Sequence, residues 1–298
     1  MTQQISGISR SALLVDLFIS TYSGRKQDKR TQDEVTTAKG AASRNAASVY
    51  KNLFSNCAEL DAINKFQARA RQAHYKLTLP WSDNGARLLP VKSLLDYKAA
   101  MNEYEQEFNA LVTKFLDKYD TLVAGAAFQL GTLFDRNEYP TRSQVARKFS
   151  FEMNFTPMPT AGDFRLDIEA EVQQDLVEEY ENRMKQQVES SMRDAWSRLH
   201  GVLTRISDRL TPEPDGKKKI FHETMLTNAD ELCDLLQTLN VTGDASLEKA
   251  RVQLRNALLG VSSKELREVE SARVEVKKNV DDILKQYDWF NNDEDNDE

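Results

Sequence analysis

The sequence predicts a mainly α-helical protein: an elongated helical bundle with a long antiparallel coiled-coil-like helix pair and a small β-ribbon. Three patterns lead to this fold class. Apolar side chains recur three and four residues apart over residues 94–115, and again over residues 172–210. Such spacing is typical of long helices that pack along a shared seam. Between them, residues 148–156 alternate apolar with polar side chains, as in a strand with one buried face.

The first predicted element is a strand over residues 13–22, LLVDLFISTY, which is short and rich in β-branched and aromatic residues. We expect it to pair with the strand over residues 148–156. Pro157 and Pro159 should end that second strand, because proline has no N–H to donate to a sheet. The two strands together form the predicted ribbon.

Helical spacing of apolar residues predicts one Ala-rich helix over residues 35–53 and a second helix over residues 60–74. The heptad seam that starts at Leu94 then predicts a long helix. Its expected partner is the helix over residues 172–210, which at about 40 residues spans roughly 60 Å. The two long helices are therefore expected to form an antiparallel stalk.

The composition of residues 211–219, TPEPDGKKK, is typical of a linker. Three shorter helices are predicted after it, over about residues 221–240, 246–259 and 262–287. The last begins with a capping box formed by Ser262 and Glu265. The predicted organisation is thus an elongated domain over 1–210, a linker over 211–219, a C-terminal helical segment over 220–287 and an acidic disordered tail over 288–298.

Composition favours a cytoplasmic globular protein. Of the 298 residues, 40% are hydrophobic and 29% are charged. No stretch approaches the roughly 18 consecutive apolar residues that a membrane span requires, and the apolar run over 12–20 contains Asp16. No secretory cleavage pattern follows that run. Cys57 and Cys233 are far apart and form no CxxC pair, so we expect buried free thiols.

Few residues in the sequence are arranged for catalysis. His222 is followed by Glu223, but HETML lacks the second histidine of a zinc-binding helix. The glycine-containing segments GARLLP and GDASLEK lack the spacing of a phosphate-binding loop. We therefore expect no metal, no cofactor and no enzymatic activity.

A cluster of cations follows the first strand through Ser23 and Gly24. One interpretation is a solvated, solubilising edge. The other is a contact for phosphate or for the acidic patch of a partner protein, although the neighbouring acidic residues weaken the field that a nucleic acid would need. The four cations are Arg25, Lys26, Lys29 and Arg30.

The C-terminal residues 288–298 are strongly acidic. They contain six acidic residues and no basic residue, so the remaining 287 residues carry about −1 of the net charge of −7. This run also contains Trp289 and Phe290. It is either a solvating end or a docking peptide in which the aromatic pair is buried by a basic groove.

The segment TLPWSDNGARLLP, residues 78–90, is predicted to connect two helices. Trp81 is its expected hydrophobic anchor. Asp83, Asn84 and Gly85 favour a tight turn or hairpin, because Asn-Gly accommodates positive backbone φ angles.

Three segments together resemble an uncharacterised protein family from bacteriophages, integrative elements and conjugative plasmids. They are YSGRK at residues 22–26, TLPWSDNGARLLP at 78–90 and FSFEMNFTPMPTAGDFR at 149–165. The resemblance extends over about the first 210 residues. Members of that family are often encoded near a MoxR-like AAA+ ATPase and a von Willebrand factor A-type protein, which implies a helical adaptor that works with an ATPase.

The leading functional hypothesis is a non-enzymatic adaptor or scaffold of a phage or mobile element that binds protein partners. The first alternative is a nucleic-acid-binding accessory protein in recombination or replication. A further alternative is an inhibitor of host defence. The partner and the oligomeric state stay open at this stage.

Overall fold

The protein is mainly α-helical with a small antiparallel sheet, as the sequence predicted. The computed structural model describes residues 8, 10–43, 45–82, 85–158, 170–287 and 289. The chain divides into two compact units, each built from separate segments. The first unit comprises Met1–Asp16, Tyr75–Leu95 and Phe155–Glu298, and the second comprises Leu17–His74 and Asp96–Asn154.

This division differs from the one predicted from the sequence. Residues 211–219 contain no helix or strand, as expected of a linker. The helices on both sides of that segment nevertheless belong to the same unit. The segment is therefore a connection within a unit.

Four strands form the larger sheet: β1 (Ala12–Ser20), β4 (Leu79–Pro80), β5 (Arg87–Pro90) and β6 (Ser150–Pro157). Their order is β4-β5-β1-β6, which confirms that the two predicted strands are neighbours. The strand β5 lies on the other side of β1, with Ala12 opposite Pro90 and Val15 opposite Arg87. The predicted two-stranded ribbon is thus part of a four-stranded sheet.

A second, two-stranded sheet consists of β2 (Arg25–Gln27) and β3 (Tyr50–Asn52), with α1 (Lys29–Ala38) between them in the chain. The prediction of one helix over residues 35–53 was wrong. Gly40 has φ +64°, and the N–H groups of Gly40 and Ala41 donate to the carbonyls of Thr37 and Thr36. This arrangement ends a helix, so the chain turns back before β3.

The second unit is built around α2 (Ala58–Leu77) and α3 (Leu94–Leu130), which pack antiparallel. Every predicted core position of α2 is buried. The heptad seam of α3 packs against α2, whereas the sequence predicted the helix over 172–210 as its partner. Heptad spacing shows that a helix has a packing partner but does not identify it. Consecutive elements of a chain are usually adjacent in space, and here the partner is the preceding helix. The antiparallel contacts are His74 with Tyr97, Phe66 with Phe108 and Glu59 with Lys118.

Aromatic rings fill the core of the second unit beside the two-stranded sheet. The Phe54 ring lies edge-on to the rings of Phe115 and Tyr139, with centroids 6.0 and 5.4 Å away. The Tyr139 hydroxyl donates to the carbonyl of Leu53 at 2.8 Å. Burial raises the pKa of Tyr139 to about 12. The core therefore fixes the chain directly after β3. The short helix α4 (Arg142–Ala146) begins shortly after Tyr139.

The first unit is organised by α5 (Ala170–Leu210), whose buried face packs most extensively against α9 (Glu270–Gln286). The helices α6 (Glu223–Leu239) and α7 (Ala245–Leu258) pack against each other, and α6 also contacts α5. The bounds of both helices agree with the predicted bounds to within a few residues.

The predicted last helix, residues 262–287, is two helices, α8 (Ser263–Glu268) and α9. The Ser262 hydroxyl accepts a hydrogen bond from the Glu265 N–H, which is one half of the predicted capping box. The chain then becomes extended at Val269, with φ −104° and ψ 110°. Arg273 occupies the break and donates to the carbonyl of Leu266. The Arg273 side chain therefore stabilises the end of α8.

Candidate partner-binding site

The four predicted cations lie close together in the second unit. Arg25 and Lys26 belong to β2, and Lys29 and Arg30 form the first turn of α1. All four are exposed. The cations are therefore at the surface, on the smaller two-stranded sheet and at the start of a helix.

Two neighbouring residues hold this cationic segment in place. The Asp28 side chain caps α1 by accepting from the Thr31 N–H at 3.1 Å and from the Thr31 hydroxyl at 3.0 Å. Gly24, with φ +61°, packs so closely that a Cβ atom would lie 3.2 Å from Leu60 and 3.3 Å from Phe54. A larger residue at this position would push β2 away from the core.

The two faces of the β2–β3 sheet carry different side chains. Lys26 lies opposite Lys51, Arg25 opposite Asn52, and Gln27 opposite Tyr50. Because side chains alternate between faces, the lysines share one face and the other four residues share the opposite face.

Lys51 is the best-anchored cation of the site. Its side chain is only 10% exposed, and its ammonium group lies 2.5 Å from the Glu138 carboxylate. It also donates to the carbonyl of Leu133 at 2.9 Å. Lys51 thus connects the sheet to the segment that follows α3.

A cleft of about 890 Å³ lies beside this lysine face. The β2–α1 segment and Lys51 line one part of it, and the chain after α3 lines the rest. Leu133 is 45% exposed, so the cleft has an apolar patch among its charges. The lining comprises Lys26, Gln27, Asp28, Lys29, Arg30, Thr31, Glu34, Lys51, Thr132, Leu133, Phe134, Asp135 and Glu138.

The formal charges around the cleft cancel, since four cations face four carboxylates. Each carboxylate has a local role: Glu34 pairs with Arg30, Glu138 pairs with Lys51, and Asp28 and Asp135 cap helical turns. Arg25, Lys26 and Lys29, by contrast, form no ion pair within the described part of the chain. These three cations are available to a ligand.

A second, smaller hollow of about 490 Å³ lies at the opposite face of the sheet. Ser23, Arg25, Tyr50 and Asn52 line it, and Tyr50 is 62% exposed. An exposed ring next to a guanidinium group and an amide can bind a planar or anionic group. A hollow therefore lies at each face of the two-stranded sheet.

Sequence reasoning missed Tyr50, Lys51, Leu133 and Phe134. The first two lie in the stretch assigned to a helix. The last two lie just beyond α3, in a segment to which the sequence analysis assigned no role. Gly40 was the available signal for Tyr50 and Lys51, because glycine often ends a helix.

Trp289 packs within the first unit. Its ring centroid lies 5.4 Å from that of Trp196 and 5.1 Å from that of His200. Its indole N–H donates to the carbonyl of Leu284 at 2.8 Å. These contacts occupy a side chain that one of the two interpretations of the sequence assigned to partner docking. Phe290, the other predicted docking residue, lies outside the described residues.

The predicted turn over residues 78–90 is a hairpin of β4 and β5. Trp81 is buried, as expected of an anchor. Gly85 has φ +105°, a conformation that favours glycine. Asp83 and Asn84 lie outside the described residues. Two side chains of α5 hold the hairpin: Ser191 donates to the carbonyl of Pro80, and Arg198 donates to that of Thr78.

The buried cysteines are unsuited to nucleophilic chemistry. Cys57 and Cys233 are free and buried, as predicted. Burial raises the pKa of Cys57 and raises that of Cys233 to about 11, so both thiols stay protonated at neutral pH. Among the described residues, His, Cys, Asp and Glu side chains form no group of three that could hold a metal. No helix in the described ranges is both long enough and apolar enough to cross a membrane.

Replacing Asp28 by alanine should lower the free energy of unfolding by about 1 kcal/mol at neutral pH, because α1 loses its cap. The Thr31 N–H holds the pKa of Asp28 below its usual value. The charged carboxylate therefore contributes stability above its unfolded pKa of about 3.9, and this contribution is lost as the pH falls through the folded pKa.

Urea unfolding of Asp28→Ala and the wild type, at pH values of about 7 and 3, measures this contribution. The difference between the two proteins should shrink at the lower pH. Asp28→Asn is the control, because asparagine also caps helices. A difference that is equal at both pH values would contradict the assigned role.

Comparison with protein-family models finds no matching family, and no curated protein or solved structure matches the chain.

Proposed function

We propose that this protein is a non-enzymatic adaptor that binds a partner protein through the β2–β3 sheet and the adjacent cleft. One observation carries the proposal: Arg25, Lys26 and Lys29 are exposed together and have no ion-pair partner in the described part of the chain. Exposed cations that have no ion-pair partner attract and orient an anionic partner. The apolar patch at Leu133 adds the burial that a stable protein contact needs.

Charge balance favours a protein ligand over a nucleic acid. A nucleic acid gains affinity in proportion to the phosphates that cations neutralise. Here four carboxylates line the cleft alongside four cations, so a polyanion would meet nearly as much repulsion as attraction. A peptide segment can instead place its own acidic, basic and apolar side chains to match such a surface.

The positions of the charged groups support recognition rather than catalysis. The carboxylates around the cleft serve as helix caps or ion-pair partners, so none is positioned as a free general base. The resemblance to a family of phages and mobile elements makes a MoxR-like AAA+ ATPase the first partner to test.

Binding should fall by at least about tenfold, or roughly 1.4 kcal/mol, when Arg25, Lys26, Lys29 and Arg30 are all replaced by alanine. The reason is that charge-assisted contacts to the partner are lost together. The measurement is capture of partners from the host by the tagged protein, with and without nuclease, followed by titration with the purified partner.

The matched control removes four other exposed cations that form no ion pair in the described part of the chain. It should bind like the wild type. Equal loss in both variants would mean that net charge alone matters, and unchanged binding in the first variant would contradict the proposal. Recovery of nucleic acid alone would favour the nucleic-acid alternative instead. The control positions are Lys92, Lys249, Lys264 and Lys278.

A further inference from the structure

The hydrogen-bond pattern of the two-stranded sheet defines which backbone groups of β2 point outward. The Leu53 N–H donates to the carbonyl of Gly24 at 2.7 Å, and the Asp28 N–H donates to that of Val49 at 2.9 Å. Opposed residues in an antiparallel pair alternate between hydrogen-bonded and non-hydrogen-bonded positions. Arg25 and Gln27 therefore occupy non-hydrogen-bonded positions, and their N–H and C=O groups point away from β3.

This outer edge of β2 is open within the described part of the chain. The sheet has only two strands there, and all three residues of β2 are exposed. The Arg25 N–H makes one long contact, 3.3 Å to the Ser23 hydroxyl, and no acceptor for the Gln27 N–H lies among the described residues. An unpaired strand edge is a template for pairing with another chain.

The charges beside this edge define the sequence that would fit it. In an added strand, successive side chains point to opposite faces of the sheet. On one face they meet Lys26, with Lys29 nearby at the cleft, and on the other face they meet Arg25. Carboxylates at successive positions of the added strand can therefore pair with a cation on each face.

We infer that β2 accepts an extended acidic segment of the partner protein as a third strand of the sheet. This inference rests on the proposed function and adds the mode of binding. Backbone hydrogen bonds to Arg25 and Gln27 supply affinity, and the cations on the two faces select acidic side chains.

If Lys26 instead prevents the β2 edge from pairing with another copy of the protein, its substitution should have different effects. Lysine on an edge strand often prevents edge-to-edge pairing between copies of the same protein. In that case Lys26→Ala would self-associate and would bind an acidic peptide as the wild type does. Recognition predicts that Lys26→Ala stays in its original oligomeric state and binds the peptide several-fold more weakly. Lys264→Ala, a surface lysine of the other unit, is the control.

The test uses a labelled acidic peptide, acetyl-Thr-Val-Glu-Glu-Glu-Val-Thr-amide, and an analogue of equal charge whose three glutamates are N-methylated. Fluorescence anisotropy measures affinity for the full-length protein. We expect N-methylation to weaken binding by at least about tenfold, because the backbone donors are lost. Peptide binding should also slow exchange of the Gln27 amide proton, because that N–H points away from β3. It should leave exchange of the Lys26 amide proton unchanged.

Equal affinity for the two peptides would overturn strand addition and leave the proposed cationic contact intact. Self-association of Lys26→Ala with unchanged peptide affinity would also overturn it. If neither the binding of the peptide nor the binding of any partner protein depends on the four cations, the proposed function fails together with the inference.

Discussion

Replacing Arg273 by methionine should lower the free energy of unfolding of the first unit by roughly 2–4 kcal/mol. The Arg273 side chain is only 2% exposed, and its guanidinium group donates to four backbone carbonyls. Two of these carbonyls belong to the last residues of α5, where the helix dipole places partial negative charge. Methionine keeps much of the volume but leaves the carbonyls without donors. The acceptors are Arg209, Leu210, Leu266 and Lys219.

Tryptophan fluorescence during urea unfolding measures this loss, because all three tryptophans lie in the segments of the first unit. Lys278→Met is the matched control: it places methionine on the same helix at an exposed position and should change stability by less than about 0.5 kcal/mol. Arg273→Lys should be intermediate, since an ammonium group cannot reproduce the fork of guanidinium donors. Full stability in Arg273→Met would show that water or other groups replace the lost donors.

Phe108→Ala should destabilise the second unit by about 3–5 kcal/mol, because the substitution leaves a cavity in the centre of the α2–α3 seam. Phe108 is 1% exposed. Its ring packs against those of Phe66 and Phe151, with centroids 6.0 and 5.8 Å away. Hydrogen exchange read out on peptides from α2 and α3 measures the loss of protection.

Phe128→Ala, on the same helix, provides the control. The Phe128 side chain is 92% exposed, so its removal should leave exchange in α2 and α3 almost unchanged. Similar effects of the two substitutions would mean that helix propensity, rather than packing, determines the stability of α3.

Periodic patterns in the sequence predicted most of the helices, because a buried face imposes a regular spacing of apolar residues. The buried residues of α2 are those expected, and α6 and α7 begin and end near their predicted bounds. The alternation around Phe151 likewise identified β6. Its neighbour in the sheet, β1, followed from β propensity.

The errors have a common physical cause, since they concern contacts distant in sequence. The seam of α3 gave no indication that α2 is its partner. The break at Val269 carries no glycine or proline, and a side chain four residues later, Arg273, satisfies the carbonyl of Leu266. The strand β3 depends on pairing with β2, so its own residues, Tyr50–Asn52, give little local signal.

Only part of the candidate site could be recognised from the sequence. The cations at residues 25–30 form a local cluster, and charge clusters can be recognised directly. The groups opposite them, Lys51 and Leu133, come from segments far along the chain and meet the cluster only in the folded second unit. The pairing of Lys51 with Glu138 likewise depends on tertiary structure.

The interleaving of the two units has a consequence for how the protein is made. The second unit is complete once residue 154 has left the ribosome, whereas the first unit also requires residues after it. Domains generally fold during synthesis when their last segment emerges. While the second unit folds, the segments Met1–Asp16 and Tyr75–Leu95 therefore have no later helices to pack against. A fragment that stops at residue 210 would leave those segments without the helices α6–α9.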